Sequence, residues 1–254
     1  MQLTILGSGT SQGVPVIACE CEVCQSKDIK DNRSRTSLLV ETEGKTIVID
    51  TGPDFRMQML NEKVKNLDAV VFTHEHKDHV AGMDDVRAFN FKKEGGEMDV
   101  FATKRVQKAL HREYAYIFSG ESYPGIPKVK LHTIATENFN VKGIDFTPID
   151  VLHYNMPVKG FRIKNAAYIT DANYISEEEK SKLKNLDVLI INALRKEKHL
   201  SHFNLAEALE LIKELKPKRS YLTHISHLMG KHAMVAKELP AGVSLAYDGL
   251  KINL

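Results

Sequence analysis

A layered α/β fold is predicted for this 254-residue chain by three features of its sequence. Short apolar runs rich in β-branched residues alternate with amphipathic stretches from end to end. The composition, 43% hydrophobic and 27% charged with only 8 prolines, supplies enough apolar surface for a core and contains nothing of low complexity. The length suits one continuous core, so residues 1–254 are expected to form a single domain.

In chain order, the expected strands of the first half are LTIL at 3–6, SLLVET at 37–42, TIVID at 46–50, DAVVFT at 68–73 and DVFAT at 99–103. The second half adds IDFTPIDV from 144, AAYIT from 166, DVLIIN from 187, SYLT from 220 and VSLAY from 243. Helices are expected over 54–61, 82–92, 104–117, 177–184, 204–215 and 230–238. The clearest of them starts at Asn204, where Asn204 and Glu207 have capping-box spacing. Leu205, Ala208, Leu209, Ile212 and Leu215 follow at helical intervals, and Pro217 ends the run. GSGTSQG at 7–13 lacks the Gly-Lys-Ser/Thr of a phosphate-binding loop and the G-x-G-x-x-G spacing, so it is read as turn geometry. GESYPGIPKVK at 120–130 is either a connection or a lid, and the segment between His79 and His153 is expected to help line a substrate pocket.

Basic and acidic residues number 35 and 33, a net charge of +2, too weak a field to point to nucleic acid or a membrane surface. FKK at 91–93 and KPKR at 216–219 are read as solvated faces. No run approaches the roughly 20 apolar residues of a membrane span, and the N-terminus lacks a basic, then apolar, leader, so a cytoplasmic protein is expected. That compartment disfavours disulfides. All three cysteines lie in CECEVC at 19–24; an odd number, two of them one residue apart, pairs badly but can close around one cation, for which zinc is suitable.

Four apolar strands end in side chains that bind metals. VVFT runs into HEHKDH, with His74, His76, Asp78 and His79; FTPIDVL ends at His153, AAYIT at Asp171, and SYLT at His224. Strand ends of one sheet lie side by side, so these residues can converge on one cleft. His74, His76 and His153 are expected to face one divalent ion, Asp78, His79 and His224 a second, with Asp171 bridging. A water shared by such a pair is acidified to a nucleophile near neutral pH. His111, His132, His199 and His232 are isolated and are assigned no role.

With these residues in hand, THEHKDH resembles the H-x-H-x-D-H motif of the metallo-β-lactamase superfamily, and IVIDTG with Asp50 resembles its first motif. The resemblance implies a four-layer αββα sandwich with a binuclear site at one edge, and makes Asp50 a residue that orders the metal-binding loop. GSGTSQGVPVIACECEVC and LTHISH are similar to the PhnP group, phosphodiesterases acting on phosphoribosyl cyclic phosphate. That resemblance implies a separate structural zinc held by Cys19, Cys21, Cys24 and His227, and places His202 as the acid that protonates the leaving group. His202, Asp78 and Asp171 are thus the candidate catalytic residues, and a small cyclic phosphodiester is the expected substrate. The alternatives are a nuclease similar to tRNase Z, a thioesterase or lactonase, and a non-catalytic carrier similar to PqqB. The His/Asp ligand chemistry admits zinc, manganese or iron at the binuclear site, and a homodimer is implied by the resemblance alone.

Overall fold

The computed structural model describes residues 1–92, 96–120 and 123–254. Lys93 of the FKK patch and Glu121 and Ser122 of the expected lid lie outside the described residues. Chain order gives β1 (Gln2–Gly7), β2 (Ser37–Thr42), β3 (Lys45–Ile49), α1 (Phe55–Asn61), β4 (Ala69–Val71), α2 (Lys77–Val80) and α3 (Arg87–Lys92). Next come β5 (Met98–Ala102), α4 (Lys104–Glu113), α5 (Ala115–Phe118), β6 (Val129–Thr133), β7 (Phe139–Val141), β8 (Ile144–His153) and β9 (Met156–Ile163). The chain ends with β10 (Ala166–Ile169), β11 (Tyr174–Ile175), α6 (Glu177–Ser181), β12 (Val188–Asn192), α7 (Leu205–Leu215), β13 (Arg219–Thr223), α8 (His232–Glu238), β14 (Val243–Leu245) and β15 (Lys251–Asn253).

These strands build two mixed sheets. One runs β15-β1-β2-β3-β4-β5-β6; the other runs β11-β8-β9-β10-β12-β13-β14, with β7 paired to β8. Three apolar layers hold the stack together. Between the sheets pack Val40, Ile47, Ile49, Ala69 and Val71 of the first against Phe146, Phe161, Tyr168, Val188 and Ile190 of the second. The outer face of the first sheet, with Val48 and Val70, meets Phe55, Met83, Val106 and Leu110. On the far side, Leu189 and Ile191 meet Ala208, Leu211, Ile212 and Val235. Alternate residues of β4 and β12 therefore face different cores, which is why both strands read as unbroken apolar runs. This is the αββα sandwich.

Among the described residues, no helix is long and apolar enough to cross a membrane. α7 starts as its sequence demands: Asn204 accepts from the Glu207 amide at 2.8 Å while Glu207 accepts from the Asn204 amide at 3.0 Å.

Two expected helices are interrupted. Residues 82–92 open as a 3₁₀ turn, Met83–Val86, before α3. The 104–117 helix breaks at Tyr114, whose hydroxyl donates to the Val80 carbonyl at 2.7 Å, so a tertiary bond captures the residue that periodicity assigns to the helix. The strand β9 was not expected, because Pro157, Lys159 and Gly160 disguise it; pairing with β8 along its whole length and a Lys159–Asp150 ion pair at 2.6 Å hold it in place.

Candidate metal centre and active site

Asp50 follows β3, Asp171 follows β10 and His224 follows β13; their φ angles are 66°, 53° and 55°. Left-handed backbone is costly for residues with a Cβ, and three such residues at strand ends from both sheets concentrate strain where side chains must turn into the cleft. Close backbone approach does the rest. A Cβ on Gly52 would sit 2.2 Å from the Asp78 carbonyl oxygen and one on Gly82 2.2 Å from the Gly52 carbonyl oxygen. Only glycine at both positions lets the DTG turn clasp the segment carrying Asp78 and His79, through bonds from Thr51 N to His79 O and Gly82 N to Thr51 O, each 2.8 Å.

Asp50 is wholly buried and orders this segment. It accepts from the Thr73 amide at 2.8 Å and hydroxyl at 2.7 Å, and from His79 Nδ1 at 2.7 Å. Burial raises its carboxyl above the usual range although His79 and Thr73 pull it down. With Nδ1 committed as a donor, neutral His79 presents a bare lone pair at Nε2. That atom lies 3.1 Å from Asp78 Oδ2 and 3.2 Å from Asp171 Oδ2, yet is buried and makes no aligned hydrogen bond. His224 Nδ1 stands 3.2 Å from the same Asp171 oxygen.

Nitrogen and oxygen donors aimed at one point, not at one another, are what a cation requires. A tetrahedral divalent ion with bonds near 2.1 Å separates its ligands by about 3.4 Å. The donor atoms of Asp78, His79, Asp171 and His224 all lie within 4.8 Å of one another, and these residues fit such an ion.

The electrostatics carry the same demand for positive charge. Burial alone would depress His79, but Asp78, Asp171 and Asp50 raise it well above the histidine range. Burial opposes ionisation of Asp171, yet His224 and His79 carry it well below the carboxylate range; Asp78 is lowered against its own burial by His79. Burial pushes His224 down to about 4 and His74 well below its ordinary value, which favours the neutral imidazole that can offer a lone pair to a cation.

The other half of the cluster is more widely spaced. His74, His76 and His153 are neighbours, with ring centroids 4.7 Å (74–76), 5.2 Å (76–153) and 6.0 Å (74–153) apart. The tight donor set here, however, is His153, Asp171 and His202; His74 and His76 stand outside it. His202 Nε2 lies 3.1 Å from Asp171 Oδ1, the oxygen not shared with His79 and His224. His153 donates Nδ1–H to the Ser201 carbonyl at 2.8 Å, which turns its Nε2 inward. His74 Nε2 is buried without a partner, with Thr73 Oγ1 2.9 Å from its Nδ1, so it too has a donor atom to offer a cation.

The second cluster is the CECEVC loop. The Sγ atoms of Cys19, Cys21 and Cys24 lie 3.3, 3.4 and 3.6 Å from His227 Nδ1. A zinc ion with three Zn–S bonds near 2.3 Å and one Zn–N bond near 2.05 Å gives sulfur–nitrogen edges of about 3.6 Å, so these residues fit one ion with no open position. Amides supply further polarity: Cys24 N donates to Cys21 Sγ at 3.4 Å and Val16 N to Cys24 Sγ at 3.3 Å. The Cys24 amide and His227 lower the Cys21 thiol to about 6 against desolvation, while burial raises Cys24 to about 11.

Several functional neighbours had no place in the sequence reading. A threonine precedes the His or Asp donor at three strand ends, Thr73, Thr170 and Thr223; Thr170 donates to Asp171 Oδ2 at 2.6 Å. That repeat of Thr before His or Asp was the available signal. Thr10 and Thr36 hydroxyls lie 3.3 and 3.2 Å from His224 nitrogens, which puts the GSGTSQG turn against the site. His199, assigned no role, has Nδ1 3.1 Å from His202 Nδ1. His111 packs on Phe118, His132 pairs with Asp99 and His232 lies against Arg33.

Residues 45–225 match the family model described as Beta-lactamase superfamily domain. A solved structure described as a new diphosphatase from the PhnP family is 40% identical, with a TM-score of 0.93, covering 99% of this chain and 96% of that one. The chain belongs to the metallo-β-lactamase superfamily and is PhnP-like. Zn(2+)-bound PqqB from Methylobacterium extorquens, at 19% identity and a TM-score of 0.81 over 100% of both chains, shares the fold. A curated relative, octanoyltransferase of Porphyromonas gingivalis, is 39% identical over 99% of this chain, which spans 51% of that relative.

Proposed function

We propose that this PhnP-like chain is a metal-dependent phosphodiesterase that hydrolyses a P–O bond of a small, cyclic or compact, phosphodiester, with a structural zinc in the Cys₃His cluster. The observation that carries the reading is Asp171: one carboxylate oxygen faces His79 and His224, the other faces His202. Two divalent ions in this donor set would supply an acidified water and neutralise charge on phosphoryl oxygens. Asp78, His79, Asp171 and His224 would hold one ion and His74, His76 and His153 the other, with Asp171 between them.

The protein's own groups then divide the remaining work. His202 stands at the edge of the cluster with Nε2 beside Asp171, and is the group positioned to give its proton to a leaving alkoxide. Ser201 Oγ and His199 Nδ1, each 3.1 Å from His202 Nδ1, fix the ring from behind. Asp50 holds the His79 tautomer and, through Thr73, the start of the histidine segment.

A second reading, hydrolysis of an organic diphosphate, is favoured by the 40%-identical diphosphatase structure. The octanoyltransferase name belongs to a relative whose other half lies outside the match, and it supplies no argument for acyl transfer here.

Metal analysis with a bis(p-nitrophenyl) phosphate assay tests the proposal. We expect about three metals per chain and diesterase turnover; bound metal without hydrolysis of any diester or diphosphate would refute it. His202→Ala is expected to keep its metals and lose about 10²–10⁴-fold in turnover; unchanged turnover would remove His202 from the mechanism.

A further inference from the structure

Beside His76 and His153 opens a cleft of about 420 Å³, also lined by Arg105, Tyr154, Asn155, Met156 and Ser201. Arg105 sits in the first turn of α4 and donates its Nε to Glu75, the residue between His74 and His76. Glu75 Oε1 takes that bond, while its Oε2 is buried and unpartnered. Burying a carboxylate oxygen without a partner is costly, and the arrangement is not one that maximises stability.

What it does achieve is to hold the arginine. With Nε engaged, the two terminal NH₂ groups of Arg105 have no hydrogen-bond partner among the described residues, and the side chain is 55% exposed at the cleft. A guanidinium fixed through Nε presents its remaining donors as a planar fork, the geometry that grips phosphate oxygens in pairs. Tyr154, which also lines the cleft, follows His153 in the two-residue turn between β8 and β9. Its φ of 58° is unusual for a bulky residue, and its amide is fixed to Asn173 Oδ1 at 2.7 Å.

We infer that this cleft is the subsite for a second anionic group of the substrate, with Arg105 as the residue that binds it and Glu75 as the positioning residue. The inference rests on the phosphoester reading above and sharpens it: the substrate carries a second phosphate next to the one attacked, as in an organic diphosphate. Tyr154 adds an aromatic surface to the same cleft.

The test is calorimetric titration of metal-loaded protein with methylenediphosphonate and, separately, inorganic phosphate. Wild type is expected to prefer the diphosphonate, and Arg105→Met to lose about tenfold of that preference, as for one charge-assisted contact. Metal content should stay at the wild-type value, since an exposed ion pair contributes little to the fold. Arg105→Lys should fall between the two, and Glu75→Ala should move the same way as Arg105→Met. With an organic diphosphate such as ADP-ribose, the loss should show as a higher KM with kcat less affected.

A preference retained by Arg105→Met, or absent in wild type, would overturn the inference; so would loss of metal in that variant, which would make Arg105 a prop of the metal centre. Failure of wild type to hydrolyse any phosphate ester, with the Arg105-dependent preference intact, would instead sink the phosphodiesterase reading alone.

Discussion

The two candidate metal clusters use opposite designs. The His/Asp cluster is buried and mixed, and draws its donors from the ends of strands in both sheets. Its backbone is strained at Asp50, Asp171 and His224, and one carboxylate faces two sides. The Cys₃His cluster is half-buried and built from a short loop plus the 3₁₀ turn at His227. Four donors there close on a single point and leave nothing over. The difference teaches where each cluster's free energy goes: a closed set of soft donors ties segments together, whereas an open set with surplus lone pairs and carboxylate charge keeps positions for chemistry.

The loop of the second cluster is anchored independently of any metal. Arg33, 4% exposed, donates to the Ser8 hydroxyl at 2.9 Å and the Ala246 carbonyl at 2.6 Å, and Asp31 accepts from the His232 amide at 2.7 Å and the Ser26 hydroxyl at 2.6 Å. Burial lowers even the Arg33 guanidinium to about 10, with Asp248 and Asp31 resisting. His227 is three residues after His224, so the loop and the His/Asp cluster share one strand end.

The largest effect that would break the comparison is at Asp171. Asp171→Ala is expected to abolish turnover by about 10³-fold or more and to lower metal content at the His/Asp cluster while the cysteine-bound metal stays. Equal loss from both clusters on metal analysis would show them to be one cooperative unit.

Next comes Cys19→Ser, which should release one metal per chain and cost stability far more than activity per folded molecule. A loss of several kcal/mol corresponds to a fall in Tm of roughly 5–15 °C for a chain of this size. An unchanged Tm would mean that the cluster staples nothing.

Smaller still is Asp50→Asn. The amide keeps the shape but cannot hold His79 by a charged acceptor, and metal affinity at the His/Asp cluster should fall about 10–100-fold, with the cysteine site untouched, as read by chelator competition.

The smallest is a pH effect in chelator-treated protein. Burial, with Arg33 adding to it, pushes His232 down to about 4 from an ordinary value of 6.5. The unfolded chain therefore takes up a proton near 6.5 that the fold refuses until about 4, and stability from this group falls as pH drops through that window. Burial raises Asp50 and Asp248, which act in the opposite sense, so the clean measurement is a difference. The stability gap between wild type and His232→Asn, from urea unfolding, should narrow from pH 7 to pH 4; a constant gap would contradict the buried neutral histidine.

Much of the site was legible because its grammar is local. Hydrophobic runs such as VVFT, AAYIT and SYLT must be strands buried on both faces, and a metal-binding residue at the end of each has to emerge at a sheet edge. The capping box at Asn204 was legible for the same reason, as its two bonds close within one helical turn.

Chain proximity alone could not show that His202 meets Asp171 across 31 residues, that Glu75 engages Arg105 across 30, or that β9 exists under Pro157 and Gly160. The amino-acid sequence by itself determined the layered fold, the donor residues at strand ends and the cysteine cluster, because periodicity and donor chemistry are properties of the residues. Only the tertiary structure decided which oxygen of Asp171 faces which histidine, where Tyr114 breaks its helix and which cation borders the cleft. Those outcomes depend on angles and distances between segments that the chain brings together only after its cores have packed.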